Sequence, residues 1–354
     1  MNWRHWLLVS LSVGMVLSGT LGGYFWHLSR SPASGVMNGE PARILIPRGT
    51  VFSEVTEQLR EQDMLAHPKL YTFLAYWMDA PVRLQVGEFE LPRHFSTGQV
   101  LEELITGKGV LRKVTIPEGK TLREIAQRLE SAGLASAKDL VALEKDPELL
   151  DQTGISEATS LEGFLFPETY FLSKAFSPRE LLEVMISHYR NIMTDSMRER
   201  AQELNLTEYQ LLTLASIVEK ETANPRDRDK ISAVFHNRLR KRMRLDSDPT
   251  VIYGIPNFDG NLTRKHLRKN HPHNTYTNHG LPPTPISNPG VDALMATLYP
   301  AEVKYLYFVA RGDGSSHFSK TLREHNRAVA YYQKSRRNRK LMQENKLKLL
   351  RQDT

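Results

Sequence analysis

The sequence predicts an α+β fold behind one apolar N-terminal segment, on three observations. Residues 6–26 hold no charged side chain. A strand, a Pro/Gly turn and an amphipathic helix occur twice, seventy positions apart. A broad apolar stripe at helical spacing runs from Thr207 to Thr222. With 354 residues, 40% hydrophobic and 25% charged, the chain has the composition of a globular protein and the length for two ordinary domains. It contains no cysteine, which excludes disulfides, thiolate metal sites, a cysteine nucleophile and a lipidated cysteine. Most of the net charge of +7 lies in residues 334–354, where eight Lys/Arg stand against Glu344 and Asp353. The rest of the chain is close to neutral, so no basic face for nucleic acid is expected.

Residues 1–5 precede the apolar segment. Trp6 to Trp26 has the length that spans a bilayer, about 20 apolar residues, and Trp6, Tyr24 and Trp26 stand where interfacial aromatics belong. A cleaved signal peptide is the other reading. Its apolar core usually runs only ~7–15 residues, so the length favours an uncleaved transmembrane helix. Arg4 and the terminal amine on one side, against Arg30 on the other, slightly favour an inside N-terminus. Residues 27–41, rich in Ser, Gly and Pro, read as a linker.

The repeat follows. Ile44 to Gly49 (I-L-I-P-R-G) returns as Val114 to Gly119 (V-T-I-P-E-G), and Val55, Leu59 and Met64 match Ile125, Leu129 and Leu134. Between the copies, Val86 to Leu91 reads as a strand and Thr97 to Thr106 as a helix closed by Gly107. Residues 42–110 therefore form a small α+β domain, and 111–160 hold the second βα unit and a connector. Leu161 to Leu172 is the most aromatic stretch, with Phe164, Phe166, Tyr170 and Phe171 around Glu162 and Glu168. It suits a glycan groove, where aromatics stack on sugar faces and carboxylates bind hydroxyls. A buried, Pro-bent strand is the alternative.

Ser177 to Glu203 reads as one long amphipathic helix. Thr207 and Gln210 form a capping box, so the next helix begins at Glu208. Glu219 continues its apolar stripe, one turn beyond Ala215, whereas Glu221 lies about 200° further round and can face water. A carboxyl at the end of such a stripe is partly desolvated and suited to hold a proton near neutrality. A helix-end Glu that snorkels or pairs with Arg is the other reading. Asp248 before Pro249 reads as an N-cap. Asn274 to Gly290 is too rich in Pro and Asn for regular structure, and is either an elaborate turn or a ligand-facing loop. Tyr305 to Ala310 reads as a buried strand, and a last helix leads into the tail. His271 and His273 have no further ligand set, so no metal site is expected.

Four stretches, in this order, resemble the endolytic murein transglycosylases of the YceG-like family. They are Leu161 to Tyr170 (L-E-G-F-L-F-P-E-T-Y), Ala215 to Thr222 (A-S-I-V-E-K-E-T), Asp246 to Gly254 (D-S-D-P-T-V-I-Y-G) and Asn274 to Ile286. The similarity covers residues 42–333 and the N-terminal segment. It implies a single-pass inner-membrane protein, with a cytoplasmic N-terminus, a LysM-like membrane-proximal domain at 42–110 and a periplasmic catalytic domain at 161–333. It also implies cleavage within peptidoglycan strands near sites of synthesis, with a peptidoglycan synthase as a partner and no cofactor. The family's catalytic Glu falls on Glu219. One departure is Asp246, where the family usually has Gln.

Cleaving a glycosidic bond requires protonation of the leaving oxygen, a task for which a partly buried Glu219 is suited. Ordinary glycosidases add a second carboxylate. A lytic transglycosylase needs one, because the sugar's own C6 hydroxyl is the final nucleophile and the product is a 1,6-anhydro-MurNAc end. Glu162, Ser247, Asp248, Tyr276 and Asn278 are the candidate groove residues, each with a capping or packing role as its alternative. Two other functions stay open: a hydrolase using Glu162 or Asp248 as second acid, and a non-enzymatic, membrane-tethered glycan-binding protein.

Overall fold

The structure, a computed structural model, describes residues 23, 30–35, 39–222 and 224–334. The expected transmembrane segment, Gly23 apart, and the basic tail beyond residue 334 lie outside the described residues. No described helix is long and apolar enough to cross a membrane. The fold is mixed α+β, with three two-stranded sheets among the described residues. It divides into two compact units.

In the first unit, β1 (Ala42–Ile46) alternates buried and exposed residues, and Ala42, Ile44 and Ile46 face the core. It pairs antiparallel with β2 (Gly87–Leu91), from Ala42 opposite Leu91 to Ile46 opposite Gly87. Against this ribbon pack α1 (Phe52–Glu61) through Val55 and Leu59, α2 (Pro68–Trp77) through Leu70, Tyr71 and Ala75, and α3 (Thr97–Thr106) through Val100, Leu101 and Leu104. Side chains of this size contribute about 1.5–3 kcal/mol each when fully buried. Ser96 and Gln99 close a capping box on α3, which begins where the sequence predicts. Part of the stretch read as linker is packed structure: Ala33 is buried, its N–H donates to Phe95 O at 2.7 Å, and its carbonyl accepts from Ala66 N–H at 2.7 Å.

The second copy of the repeat builds β3 (Arg112–Thr115) and α4 (Leu122–Ser131), with Ile125 and Leu129 buried where α1 buries Val55 and Leu59. α4 belongs to the second unit. β3 pairs with β4 (Thr169–Leu172). The helix expected over 177–203 is two helices, α5 (Pro178–Ile192) and α6 (Asp195–Glu203). The break is local chemistry: Thr194 caps α6 by accepting Met197 N–H, and Met193 is buried between them. α7 (Glu208–Glu221) starts at the predicted capping box of Thr207 and Gln210. It buries Tyr209 and every residue from Leu211 to Val218, so it is apolar nearly all round and forms the centre of this unit. Around it lie α8 (Pro225–Arg240), α9 (Asp248–Tyr253) and α10 (Val291–Leu298). β5 (Tyr307–Ala310) and β6 (Ser316–Ser319) form an antiparallel hairpin, and α11 (Leu322–Val329) follows.

Three of the four aromatics of the stretch 161–172 are core, and Phe171 is exposed. Phe164, Phe166 and Tyr170 are buried, and the Phe164 ring meets Tyr189 edge-on at 5.1 Å and stacks on Tyr209 at 6.0 Å. These rings are unavailable to a sugar.

Candidate active site

Three segments of the second unit meet at the C-terminal turn of α7. Glu219 lies there half-buried, and its Oε2 accepts the Gly290 N–H at 3.1 Å. The turn of the second repeat, 117–120, closes on the same place. Gly119 N–H donates to Asn288 O at 2.9 Å, and Lys220 Nζ donates to Gly119 O at 3.1 Å. Gly119 has φ +72°, a left-handed dihedral that calls for glycine, and a Cβ there would stand in ordinary contact with Glu219 Cγ at 3.4 Å.

The electrostatics favour a proton on Glu219. Burial pushes its carboxyl above the ordinary range, and the charges of Glu118 and Asp292 push the same way. The Gly290 N–H and Arg228 oppose them. Asp292 is itself paired with Arg228, at 2.7 Å. Glu118 is exposed, yet its carboxylate lies against Gly290 so closely that a Cβ at 290 would collide with it. Sequence reasoning missed Glu118 as a site residue. The available signal was the repeat, which puts Arg48 in the equivalent position of the first copy, so the two copies differ in charge at one turn position.

Glu162 bonds within the fold. It is buried, and accepts hydrogen bonds from Leu122 N at 2.9 Å, Asn288 Nδ2 at 2.8 Å and Tyr253 OH at 3.2 Å. Desolvation pushes its carboxyl up to about 8, against those three donors. Enclosed in this way, the carboxyl holds Asn288. Asn288 is fully buried and ties five bonds: its side chain also bonds Leu165 N–H and Lys120 O, and its backbone bonds Lys120 and Gly119. Two residues on, Gly290 presents its N–H to Glu219. Asn288 is the second residue that sequence reasoning missed, and nothing in the loop composition singled it out.

Ser247 likewise bonds within the fold. It is buried, its Oγ donates to Glu221 Oε1 at 2.5 Å, and its N–H donates to Thr275 Oγ1 at 3.0 Å. Ser247, not Asp248, is the N-cap residue of α9; Asp248 is the first helical residue and Pro249 the second. The Glu221 side chain does not face open water, contrary to the helical-wheel expectation. Burial pushes its carboxyl up to about 7, the Ser247 hydroxyl opposing. Asp248 and Tyr276 are the groove candidates left accessible, joined by Tyr276 OH to Asp248 Oδ1 at 2.7 Å. Asn278 is spent on its own loop, donating to His271 O at 2.8 Å and Asn274 O at 3.0 Å. Asp246 sits at φ +47° with Oδ2 3.4 Å from Arg238, so its charge has a protein partner.

The four sequence stretches singled out above thus converge. Tyr253 OH donates to Glu162 at 3.2 Å, Ser216 Oγ accepts Ile286 N–H at 3.0 Å, Glu221 holds Ser247, and Thr250 bonds Thr275 at 2.8 Å. Residues as far apart as 91 positions, Glu162 and Tyr253, are laced together around α7.

Comparison with known proteins shows what the chain is similar to. The profile of the YceG-like family matches residues 44–331. A Bacillus subtilis (strain 168) protein named endolytic murein transglycosylase is 32% identical over 304 residues, 82% of this chain and 84% of that protein. A protein of the same name from Streptococcus pneumoniae D39 is 30% identical over 324 residues, covering 83% of this chain and 58% of that longer protein. The crystal structure of a YceG-like protein from Listeria monocytogenes is similar with a TM-score of 0.56 and 33% identity, over 82% of this chain and 100% of that one.

Proposed function

Because this chain belongs to the YceG-like family, we propose that it is a membrane-anchored endolytic lytic transglycosylase. It is an enzyme, a lyase, and its substrate is the glycan strand of peptidoglycan. It cuts the MurNAc–GlcNAc bond within nascent strands, leaves 1,6-anhydro-MurNAc ends and so terminates elongation beside a peptidoglycan synthase. Residues 6–26 anchor it in the inner membrane, with the N-terminus cytoplasmic and the catalytic body outside. The LysM-like character of residues 42–110 belongs to the same proposal.

One observation supports the chemistry most: Glu219 is half-buried with its carboxyl pushed up and one oxygen held by Gly290 N–H. The oxygen that accepts an N–H is the less basic, so the proton resides on Oε1. Glu219 gives it to the glycosidic oxygen, the C1–O bond breaks and the GlcNAc alcohol leaves. Positive charge develops on the MurNAc ring, and the ionised Glu219 with Glu118 and Asp292 stabilises it. Glu219 then removes the proton of the C6 hydroxyl as O6 bonds to C1. The acid is regenerated and no water is consumed.

Hydrolysis is the second reading, and Glu118 is the observation that keeps it in view. Glu162 is too buried to serve as the second acid. In Glu118, by contrast, a carboxylate close to Glu219 could activate water. The proposal is tested with Glu219→Gln in the purified full chain. Cleavage of isolated glycan strands should fall on the order of 10²–10⁴-fold while strand binding persists. Turnover at the wild-type rate would remove Glu219 from the reaction.

A further inference from the structure

Val51, Val86, Leu111 and Phe171 of the first unit are exposed singly, but four exposed apolar side chains fall within residues 73–82. Tyr76 is 68% exposed, Trp77 77% and Val82 86%. They occupy the end of α2 and the short helix Ala80–Arg83 that follows it. Lys69 and Arg83 lie on the same segment, and Asp79 is the one acid between them. Single exposed apolar residues are ordinary, but an exposed stacked pair, Phe73 on Trp77 with centroids 6.4 Å apart and Tyr76 next to them in the helix, is not. Tyr and Trp with flanking Lys and Arg is the composition of a surface at lipid headgroup level.

The path of the chain points to the occupant. Pro32 bridges to Ser96, and Ala33 is clasped between Phe95 and Ala66. The chain is therefore fixed to this unit six residues after Trp26, a reach of about 20 Å at full extension. α2 starts two residues after Ala66 and its ten residues extend about 15 Å, so the aromatic end lies within a similar distance of the fixed point. A chain leaving the bilayer at Trp26 brings this face within reach of the headgroups.

We propose that the Tyr76–Trp77–Val82 face rests in the headgroup layer of the membrane and orients the first unit on it. The inference rests on the transmembrane reading of residues 6–26. The absence of cysteine makes it directly testable, because Val82→Cys introduces a single thiol. The full chain, labelled there with an environment-sensitive dye, is reconstituted into phosphatidylethanolamine–phosphatidylglycerol vesicles, with Glu54→Cys on α1 as the control label. The label at 82 should shift to the blue and be quenched at least about twofold more by headgroup-level nitroxide lipids than the label at 54. Adding Tyr76→Ser and Trp77→Ser should abolish that difference while the chain still floats with the vesicles. Flotation with equal quenching of both labels by aqueous iodide would overturn the proposal and leave the anchor intact. Protection of position 82 only on adding glycan strands would assign the face to glycan and overturn it equally. Failure to float would remove the anchor itself, and the proposal with it.

Discussion

Among the acidic residues of the second unit, environment assigns the roles. Glu219, Glu221 and Glu162 are all pushed up, chiefly by burial, yet only Glu219 belongs to a cluster with the exposed carboxylates Glu118 and Asp292. Glu162 is enclosed by three donors and holds Asn288, and Glu221 accepts from Ser247 and holds it in place. Glu118→Gln tests the electrostatic part. Glu219 must be protonated to act, so activity falls as pH rises through its pKa. Removing the Glu118 charge removes one of the influences that raise that pKa, and the alkaline limb of the pH–rate profile should move to lower pH. An unmoved limb would show that Glu118 does not set the Glu219 proton. The half-buried position of Glu219 was legible in the sequence because it extends an apolar stripe at helical spacing, whereas its role was implied only by the family resemblance. Glu118 was not, because its neighbourhood is made by Gly290, 172 positions away. Glu162 misled for the complementary reason: a carboxylate among aromatics reads the same whether the cluster is a groove or a core.

For the helices and loops, local chemistry was readable and long-range chemistry was not. The capping boxes of α3 and α7, with their starts at Thr97 and Glu208, follow from residues three positions apart. The break before α6 was present as Thr194 and was overridden by an amphipathic pattern that runs through it. The loop 274–290 gave only its irregularity, since its bonds go to α7, to Glu162 and to the 117–120 turn. Asn288→Ala measures what that loop contributes. It strips bonds from Leu165 N–H, Lys120 O and buried Glu162, so chemical denaturation should show a loss of about 3 kcal/mol or more. In the folded fraction kcat should drop with little change in KM, because Gly290 no longer fixes Glu219. A stable variant with wild-type kcat would separate the knot from catalysis.

At the scale of the whole chain, the division between anchor and body is drawn by Ala33. The sequence suggested that everything from 27 to 41 is linker, because Ser, Gly and Pro dominate it. In the structure, backbone pairing with Phe95 and Ala66 captures residues around 33, which composition does not reveal. Deleting residues 1–29 should therefore give a fragment that still cuts isolated strands. Deleting residues 1–41 should unfold the first unit at a lower temperature, since Ala33 leaves its core. Thermal melts of the two truncations check this, and equal stability would return residues 31–35 to the linker.

The central claim is that Glu219 alone passes the proton both ways and the substrate closes its own end. It is tested most directly by digesting purified glycan strands in ¹⁸O-labelled water and weighing the released fragments. The claim predicts fragments one water lighter than hydrolysis products, free of label and inert to borohydride at the new end. Reducing ends carrying heavy oxygen would contradict it, leave Glu219 as the proton donor, and make Glu118 the first carboxylate to examine as the base that activates water.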